Sequence, residues 1–244
     1  MKTGLPRLRW LSATLCLVAT AVAADAAELT KEELAAKLTG IDPADITDSP
    51  VPGMYQVAVG SNVAYVTRDG RYILQGEIYD TETSQNLTEV SRAKARVGFL
   101  SSVEPENMIV FSPKDGEVKH RITIFTDIDC GYCRQFHRDI DKVTALGIEV
   151  QYLFYPRTGP DTESWEKAEK VWCANDRNGA LTRAKLGGTV PDASCDADVV
   201  SAHFELGQSV GVRGTPAVFA ADGELLGGYL PPATLAKLLD ELAQ

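Results

Sequence analysis

The chain has 244 residues, of which 34 are acidic and 24 basic, giving a formal net charge of −10 at pH 7. Its length is sufficient for one large domain or two smaller ones. The acidic balance disfavours a nucleic-acid partner, because binding to phosphates requires a basic surface.

The first 26 residues have the pattern of a secretory signal peptide. Basic residues between positions 2 and 9 precede an apolar run at 10–24, and small residues suit cleavage after Ala23 or Ala26. The run is too short for a membrane span. Cleavage would remove three basic residues and one acidic residue, which lowers the net charge to −12. We therefore expect an exported mature chain.

Residues 27–86 predict a small domain with one helix and an antiparallel sheet. Thr30 and Glu33 form a capping-box pattern at the start of a helix through "KEELAAKL". Three strand-like runs follow, "MYQVAVG", "NVAYVT" and "RYILQGEIYD", and Asp69-Gly70 predicts a hairpin between the last two. So small a sheet has open edges and little to pack against, which favours a partner subunit.

Residues 87–106 predict a helix that connects two differently patterned regions. In "LTEVSRAKARVGFLS", the apolar residues Val90, Ala93, Val97 and Leu100 recur at helical spacing. The alternative interpretation is a core helix of one continuous domain.

Residues 107–244 alternate between strand and helix patterns. The runs "NMIVF", "RITIFTD" and "IEVQYLFYP" are strand-like, and a helix is expected from about Tyr132 to Leu146. A strand, a helix and a strand in that order predict a parallel pair with a right-handed crossover. A mostly helical block at 163–210 follows, then a hairpin through Asp222-Gly223 and a final helix "PATLAKLLDELA".

Cysteine usage is informative because disulfides persist in exported proteins. If Cys16 is removed with the signal peptide, four cysteines remain: Cys130, Cys133, Cys173 and Cys195. Four cysteines allow three pairings. Adjacency along the chain favours pairing 130 with 133 and 173 with 195.

The CxxC pair at 130 and 133 has three interpretations. A zinc site needs four ligands, usually from two close pairs, but only one CxxC is present and His137 would supply only a third ligand. A structural disulfide is possible, although it closes a very short loop and stabilises little. A redox couple is favoured by position, because Cys130 falls at a predicted helix N-terminus, where free N–H groups and the helix dipole stabilise a thiolate.

The segment "GVRGTPAVF" contains Thr215 and Pro216 directly before a predicted strand. An isolated Thr-Pro is usually an ordinary turn. Together with an upstream CxxC at a strand-helix junction, it matches the thioredoxin arrangement, in which a cis-proline loop lies beside the cysteines. These two residues would then offer backbone groups to an extended substrate.

The segments "FTDIDCGYC", "YLFYPRTG", "VWCANDRN", "ASCDADV", "LGQSVGVRGTPAVF" and "GGYLPP" together resemble the DsbC family of bacterial disulfide isomerases. The N-terminal segment "MYQVAVGSNVAYVTRDGRYILQGEIYD" is also similar to that family's dimerisation domain. The dipeptide Gly131-Tyr132 between the cysteines is that of DsbC, whereas the related DsbG typically has Pro-Tyr.

The resemblance implies an α+β protein with a cystatin-like N-terminal dimerisation domain, a linker helix, and a thioredoxin-like domain interrupted by a helical insertion. It implies a homodimer joined through the N-terminal domains, and a structural disulfide between Cys173 and Cys195. It also implies periplasmic isomerisation of misfolded exported proteins by Cys130 and Cys133, with chaperone activity and without a cofactor.

The isomerase must begin each cycle reduced, so the inner-membrane reductase DsbD is the expected electron donor in this family. Substrate contacts are expected at Gly131, Tyr132, Thr215 and Pro216. Two other functions stay open: a DsbG-like reductase of oxidised single cysteines, and a dimeric chaperone that holds unfolded chains without using its thiols.

Overall fold

The computed structural model describes residues 27–190 and 192–243. The predicted signal peptide, its cleavage sites and Cys16 lie outside the described residues. No described helix combines the length and the apolar character needed to cross a bilayer.

The helices and strands of the described residues form an N-terminal region and a C-terminal region, each built on its own main sheet. The helices are α1 (Lys31–Lys37), α2 (Leu87–Ser101), α3 (Gly131–Arg138), α4 (Ile140–Ala145), α5 (Glu163–Trp172), α6 (Arg177–Lys185), α7 (Asp198–Ser209) and α8 (Pro232–Leu242). The strands are β1 (Ile46–Asp48), β2 (Met54–Val59), β3 (Asn62–Thr67), β4 (Ile73–Leu74), β5 (Tyr79–Asp80), β6 (Gln85–Asn86), β7 (Ile109–Phe111), β8 (His120–Thr126), β9 (Ile148–Phe154), β10 (Ala217–Ala220) and β11 (Leu225–Gly227).

The N-terminal region packs α1 against an antiparallel sheet of order β1-β2-β3-β4. The capping box predicted at α1 is confirmed, since Thr30 and Glu33 each bond the other's backbone N–H. The hairpin predicted at Asp69-Gly70 is also confirmed, because β3 and β4 pair across it and Gly70 has a φ of +65°.

Two details of this region differ from the sequence prediction. The run at 71–80 is not one strand, because β4 and β5 are separate two-residue strands in different sheets. The stretch at 42–53, which lies before the three predicted strand-like runs, contains a further strand, β1, which pairs with β2. A three-residue strand that packs through Ile46 alone leaves too short a pattern to detect.

The C-terminal region is built on a five-stranded sheet of order β11-β10-β8-β9-β7. Strands β8 and β9 are parallel, as predicted, and β7 and β10 flank them in antiparallel pairing. Alternation along β8 places Ile122 and Ile124 in one apolar cluster and Phe125 in the other. Both faces of the central strand are therefore buried, which is typical of a sheet covered on both sides.

The helix predicted from Tyr132 to Leu146 is interrupted at Asp139, which separates α3 from α4. The Asp139 carboxylate accepts hydrogen bonds from Lys142 Nζ and from the Tyr229 hydroxyl. These contacts hold Asp139 with a ψ of 8°, outside helical geometry. Because they depend on a residue 90 positions away, helical periodicity alone misses the break.

Helix α2 contacts both regions through polar groups. Near its start, the Thr88 hydroxyl lies 2.7 Å from the buried Tyr65 hydroxyl of β3. Near its end, the buried Arg96 donates to the carbonyls of Val210 and Gly223 and pairs with Glu89. The helix predicted at 87–102 is confirmed, but Val90 and Val97 of its apolar stripe are exposed.

We predict that Arg96→Ala destabilises the protein by about 3 kcal/mol, because two buried carbonyls lose a donor and Glu89 keeps only its pairing with Arg92. Urea unfolding of the mature chain measures the change. Lys94→Ala, an exposed position on the same helix, is the control and should change the unfolding free energy by less than about 0.5 kcal/mol. Equal effects of the two substitutions would contradict the role assigned to Arg96.

Candidate active site

The turn after β8 places both cysteines of the CxxC motif at the N-terminus of α3. Cys130 is the N-cap residue with extended backbone, and Cys133 lies in the first turn. Both are free thiols, with 4% and 1% of their surfaces exposed. The helix therefore directs its unpaired N–H groups toward the first sulfur.

The surroundings of Cys130 favour its thiolate. Burial raises the pKa of Cys130, but the nearby Thr215 side chain and the backbone N–H groups of Cys133 and Tyr132, all of which can donate to a thiolate, lower it by more. The net pKa lies below the ordinary cysteine value. A larger thiolate fraction near neutral pH suits Cys130, more than Cys133, to act as a nucleophile.

Cys133 has the opposite character. Burial raises its pKa above the ordinary value, although the charge of Lys185 and a hydrogen bond from the Thr126 side chain lower the pKa in part. At neutral pH Cys133 is therefore a thiol beside a more acidic Cys130. An attacking and a resolving sulfur can thus be told apart by their environments.

The loop before β10 lies against the first cysteine. The peptide bond between Thr215 and Pro216 is cis, and the Cys130 thiol donates to the Thr215 carbonyl at 3.1 Å. Thr215 Oγ1 is buried and has no partner among the described residues while Cys130 is a neutral thiol. Its hydroxyl is therefore available to donate to the sulfur when the sulfur becomes charged.

The structure brings the residues expected to contact substrate to one edge of the protein. Gly131 and Tyr132 are exposed beside the nucleophile, Tyr132 to 69%. Thr215 and Pro216 line a cleft of ≈ 790 Å³ that continues to the β2-β3 turn and helix α2. Because the Thr215 carbonyl lies 3.1 Å from the Cys130 sulfur, an extended chain held in this cleft would lie close to Cys130.

The acidic residues near the motif are neutralised by partners. The Asp127 carboxylate accepts hydrogen bonds from Arg157 and from the Ser164 hydroxyl, so its pKa is lowered in spite of burial, which raises it. Asp129 pairs with Arg134 and Lys167. Neither carboxylate therefore stands unpaired next to the Cys130 sulfur.

A disulfide joins Cys173 to Cys195, at a sequence separation of 22 residues. It connects the end of α5 to the segment before α7, both within the helical block. Closing a loop of this length contributes about 3 kcal/mol in the chain-entropy model. The second cysteine pair thus restrains the helical block and lies apart from the reactive pair.

Sequence reasoning missed Lys185, which is fully buried at the end of α6. His137, considered in the sequence analysis only as a third zinc ligand, is buried and hydrogen-bonded to Tyr152 and Thr182. Burial and the charge of Lys185 lower the pKa of His137 to about 4, so its ring is neutral at pH 7. No local motif marks either residue, because their surroundings come from distant segments.

Comparisons with known proteins give matches to both the N-terminal and the C-terminal regions of this chain. A family model of the disulfide bond isomerase protein N-terminal domain matches residues 19–89, and a thioredoxin-like domain model matches residues 111–243. Thiol:disulfide interchange protein DsbC of Escherichia coli K12 is 40% identical over 202 residues, 83% of each chain. DsbC of Dickeya dadantii is 40% identical over 229 residues, covering 93% of this chain and 91% of the relative.

Solved structures agree on the fold. A linker-deletion variant of ScsC from Proteus mirabilis superposes with a TM-score of 0.53 at 20% identity, covering 64% of this chain and 84% of that chain. At this identity the match shows the fold alone. Together with the family models, it confirms the α+β class with a C-terminal thioredoxin-like domain.

We predict that Thr215→Val raises the pKa of Cys130 by about one unit, because the thiolate loses a donor worth roughly 1 kcal/mol. The pH dependence of alkylation in a Cys133→Ser background measures it. Thr123→Val is the control, since its hydroxyl bonds to Gln151 instead of a cysteine. An unchanged midpoint in Thr215→Val would show that this hydroxyl does not stabilise the thiolate.

Proposed function

The chain belongs to the DsbC family of thiol:disulfide interchange proteins, and from this membership and the site geometry we propose that it is a periplasmic disulfide isomerase. The observation that carries the proposal is the opposite shift of the two thiols, with the pKa of Cys130 lowered and that of Cys133 raised. An isomerase needs one sulfur that attacks the substrate disulfide and a second, less acidic sulfur that releases a stalled substrate.

In the first step, the Cys130 thiolate attacks a wrong disulfide in the substrate. A bond forms between Cys130 Sγ and one substrate sulfur, and the other substrate sulfur leaves as a thiolate with the electron pair. That thiolate attacks a further disulfide of the substrate. When the correct bridge has formed, the substrate releases Cys130 in its reduced form, so no net oxidation occurs.

The second cysteine provides an exit when rearrangement stalls. Cys133 attacks Cys130 Sγ, the substrate leaves with a reduced thiol, and the enzyme retains a Cys130–Cys133 disulfide. Because the pKa of Cys133 is raised, its thiolate fraction at neutral pH is small, which slows this attack relative to an attack by Cys130.

An oxidised enzyme must be reduced before the next cycle. The periplasm is kept oxidising, and each 30 mV of mismatch corresponds to about 1.4 kcal/mol for a two-electron couple. The proposed donor is the inner-membrane reductase DsbD, as in the family this chain resembles. Its electrons would enter through the exposed edge beside Tyr132.

Substrates are proposed to lie along the edge formed by Gly131, Tyr132, Thr215 and Pro216. Their backbone groups suit an extended chain, which gives affinity without demanding a particular sequence. The adjoining cleft extends this edge toward the N-terminal sheet. An isomerase that acts on varied misfolded proteins must bind chains of different sequence.

The N-terminal sheet supports the proposal of a homodimer. Strand β4 is the last strand of its sheet, and the exposed fractions of Tyr72, Ile73 and Leu74 are 57%, 58% and 50%. An apolar open edge of this kind is unfavourable in water and pairs readily with a second copy. Two active sites would then act on one substrate chain, and the joined surfaces would support chaperone activity.

We expect Cys130→Ser to abolish reactivation of a multi-disulfide protein oxidised at random, because the sulfur that attacks the substrate disulfide is removed and the remaining Cys133 is buried with a raised pKa. Recovery of substrate activity in a mildly reducing buffer measures the effect, with the wild type as the positive control. Suppression of substrate aggregation should persist in the variant. Failure of the wild type to reactivate the substrate would contradict the isomerase proposal and favour the holding chaperone or the DsbG-like reductase of oxidised single cysteines.

We expect Ile73→Lys to convert the dimer to a monomer, because a charge in an apolar strand edge cannot be buried without cost. Analytical ultracentrifugation measures the mass in solution. Val118→Lys is the control, since Val118 is also an exposed apolar residue but precedes β8 in the C-terminal region. A variant that stays dimeric would place the dimer contact away from β4.

A further inference from the structure

A lysine is buried behind the reactive cysteines. Lys185 is 0% exposed, and its Nζ donates to Thr126 Oγ1 and to the Asp127 carbonyl, each at 2.7 Å. Within the described part of the chain, no carboxylate lies within ion-pair distance of this amine. A buried ammonium without a carboxylate partner is unfavourable, so its presence here needs a chemical reason.

The groups that accept from Lys185 belong to the turn that carries the CxxC motif. The Asp127 carbonyl, which accepts from Lys185, also accepts from the backbone N–H of Cys130 at 3.2 Å, and Cys133 lies in the first turn of α3 that follows. The charge of Lys185, the Thr126 side chain and the Asp127 backbone N–H each lower the pKa of Cys133. Lys185 therefore places a positive charge behind the resolving sulfur.

We propose that Lys185 is a positioning residue for the resolving step, and that its buried ammonium stabilises the thiolate of Cys133. The proposal rests on the proposed function only for the step it serves. In that step Cys133 gives up its proton to water, its thiolate attacks Cys130 Sγ, and a Cys130–Cys133 bond forms. The bond between Cys130 and the substrate breaks, and the departing sulfur takes the electron pair and then a proton.

The reverse reaction uses the same charge. When a donor thiolate attacks the disulfide at Cys130, Cys133 is the leaving sulfur and departs as a thiolate into a buried site. Without a cation that thiolate would be desolvated and uncompensated. Lys185 therefore assists both oxidation and reduction of the pair.

Electrostatics around Lys185 are consistent with this role. Burial lowers its pKa to about 8, while the charges of Cys133, Asp127 and Cys130 raise it and that of Arg134 lowers it. The neighbouring ring of His137 is neutral at pH 7. The ammonium is therefore mostly present at pH 7, and its charge is lost as the pH rises through about 8.

The alternative is a structural lysine that only ties α6 to the turn after β8. Two substitutions separate the alternatives. Lys185→Met keeps the length of the side chain but removes charge and donors, whereas Lys185→Gln retains an amide donor and removes only the charge. A structural role predicts that the Gln variant leaves the acidity of Cys133 unchanged.

The test is the rate of alkylation of Cys133 at pH 7, where the Lys185 ammonium is present, in the full mature chain carrying Cys130→Ser. We expect Lys185→Met and Lys185→Gln to slow alkylation at least about tenfold, because the thiolate fraction of Cys133 falls. Lys237→Met, which removes an exposed lysine of α8, is the control and should have no effect. An unchanged rate in folded Lys185 variants overturns the proposal.

A second measurement keeps Lys185 intact, in case its variants fail to fold. We expect the rate of Cys133 alkylation in Cys130→Ser to rise tenfold per pH unit below about pH 8 and less steeply above it, because the Lys185 ammonium loses its charge there. A constant tenfold rise per pH unit through this range overturns the proposal. Neither measurement uses a protein substrate, so loss of isomerase activity alone would refute the proposed function and leave this inference standing.

Discussion

The buried carboxylate of Asp127 holds the turn on which the active site depends. Its oxygens accept from the backbone N–H of Asp129, from the Arg157 backbone and guanidinium, and from the Ser164 hydroxyl. The Asp127 carbonyl accepts from Lys185 and from the Cys130 N–H. One residue thus joins strand β8, the loop after β9, and helices α5 and α6. A buried charge with so many donors costs little, whereas the same charge unpaired would not be tolerated.

Through the contacts of Asp127, the helical block is connected to the redox motif. Ser164 lies on α5 and Lys185 on α6, so the block supplies groups that fix the turn carrying Cys130. The disulfide between Cys173 and Cys195 restrains the same block. A disulfide remote from the reactive sulfurs can therefore limit motion of the groups that set their acidity. The contacts that stabilise the helical block therefore also hold the turn that carries the cysteines.

Sequence patterns predicted the structural features that depend on residues close together in the chain. The capping box at Thr30, the hairpin at Gly70 and the parallel pair β8-β9 follow from local chemistry and periodicity, and all were found. The break at Asp139 and the burial of Lys185 were missed, because distant segments impose them. A charged residue near a helix end reads as exposed unless the fold brings acceptors to it.

Helix α2 is another element whose buried residues the sequence pattern did not predict correctly. Its apolar stripe suggested a buried face, yet Val90 and Val97 are exposed while Arg96 is buried. The guanidinium donates to the Val210 and Gly223 carbonyls and lies over the ring of Phe219. A planar cation with several fixed donors can satisfy carbonyls that end other elements, which an apolar side chain cannot do. Helix α2 is therefore anchored to the C-terminal region through a buried cation and through Leu100, while Val90 and Val97 lie on its exposed surface.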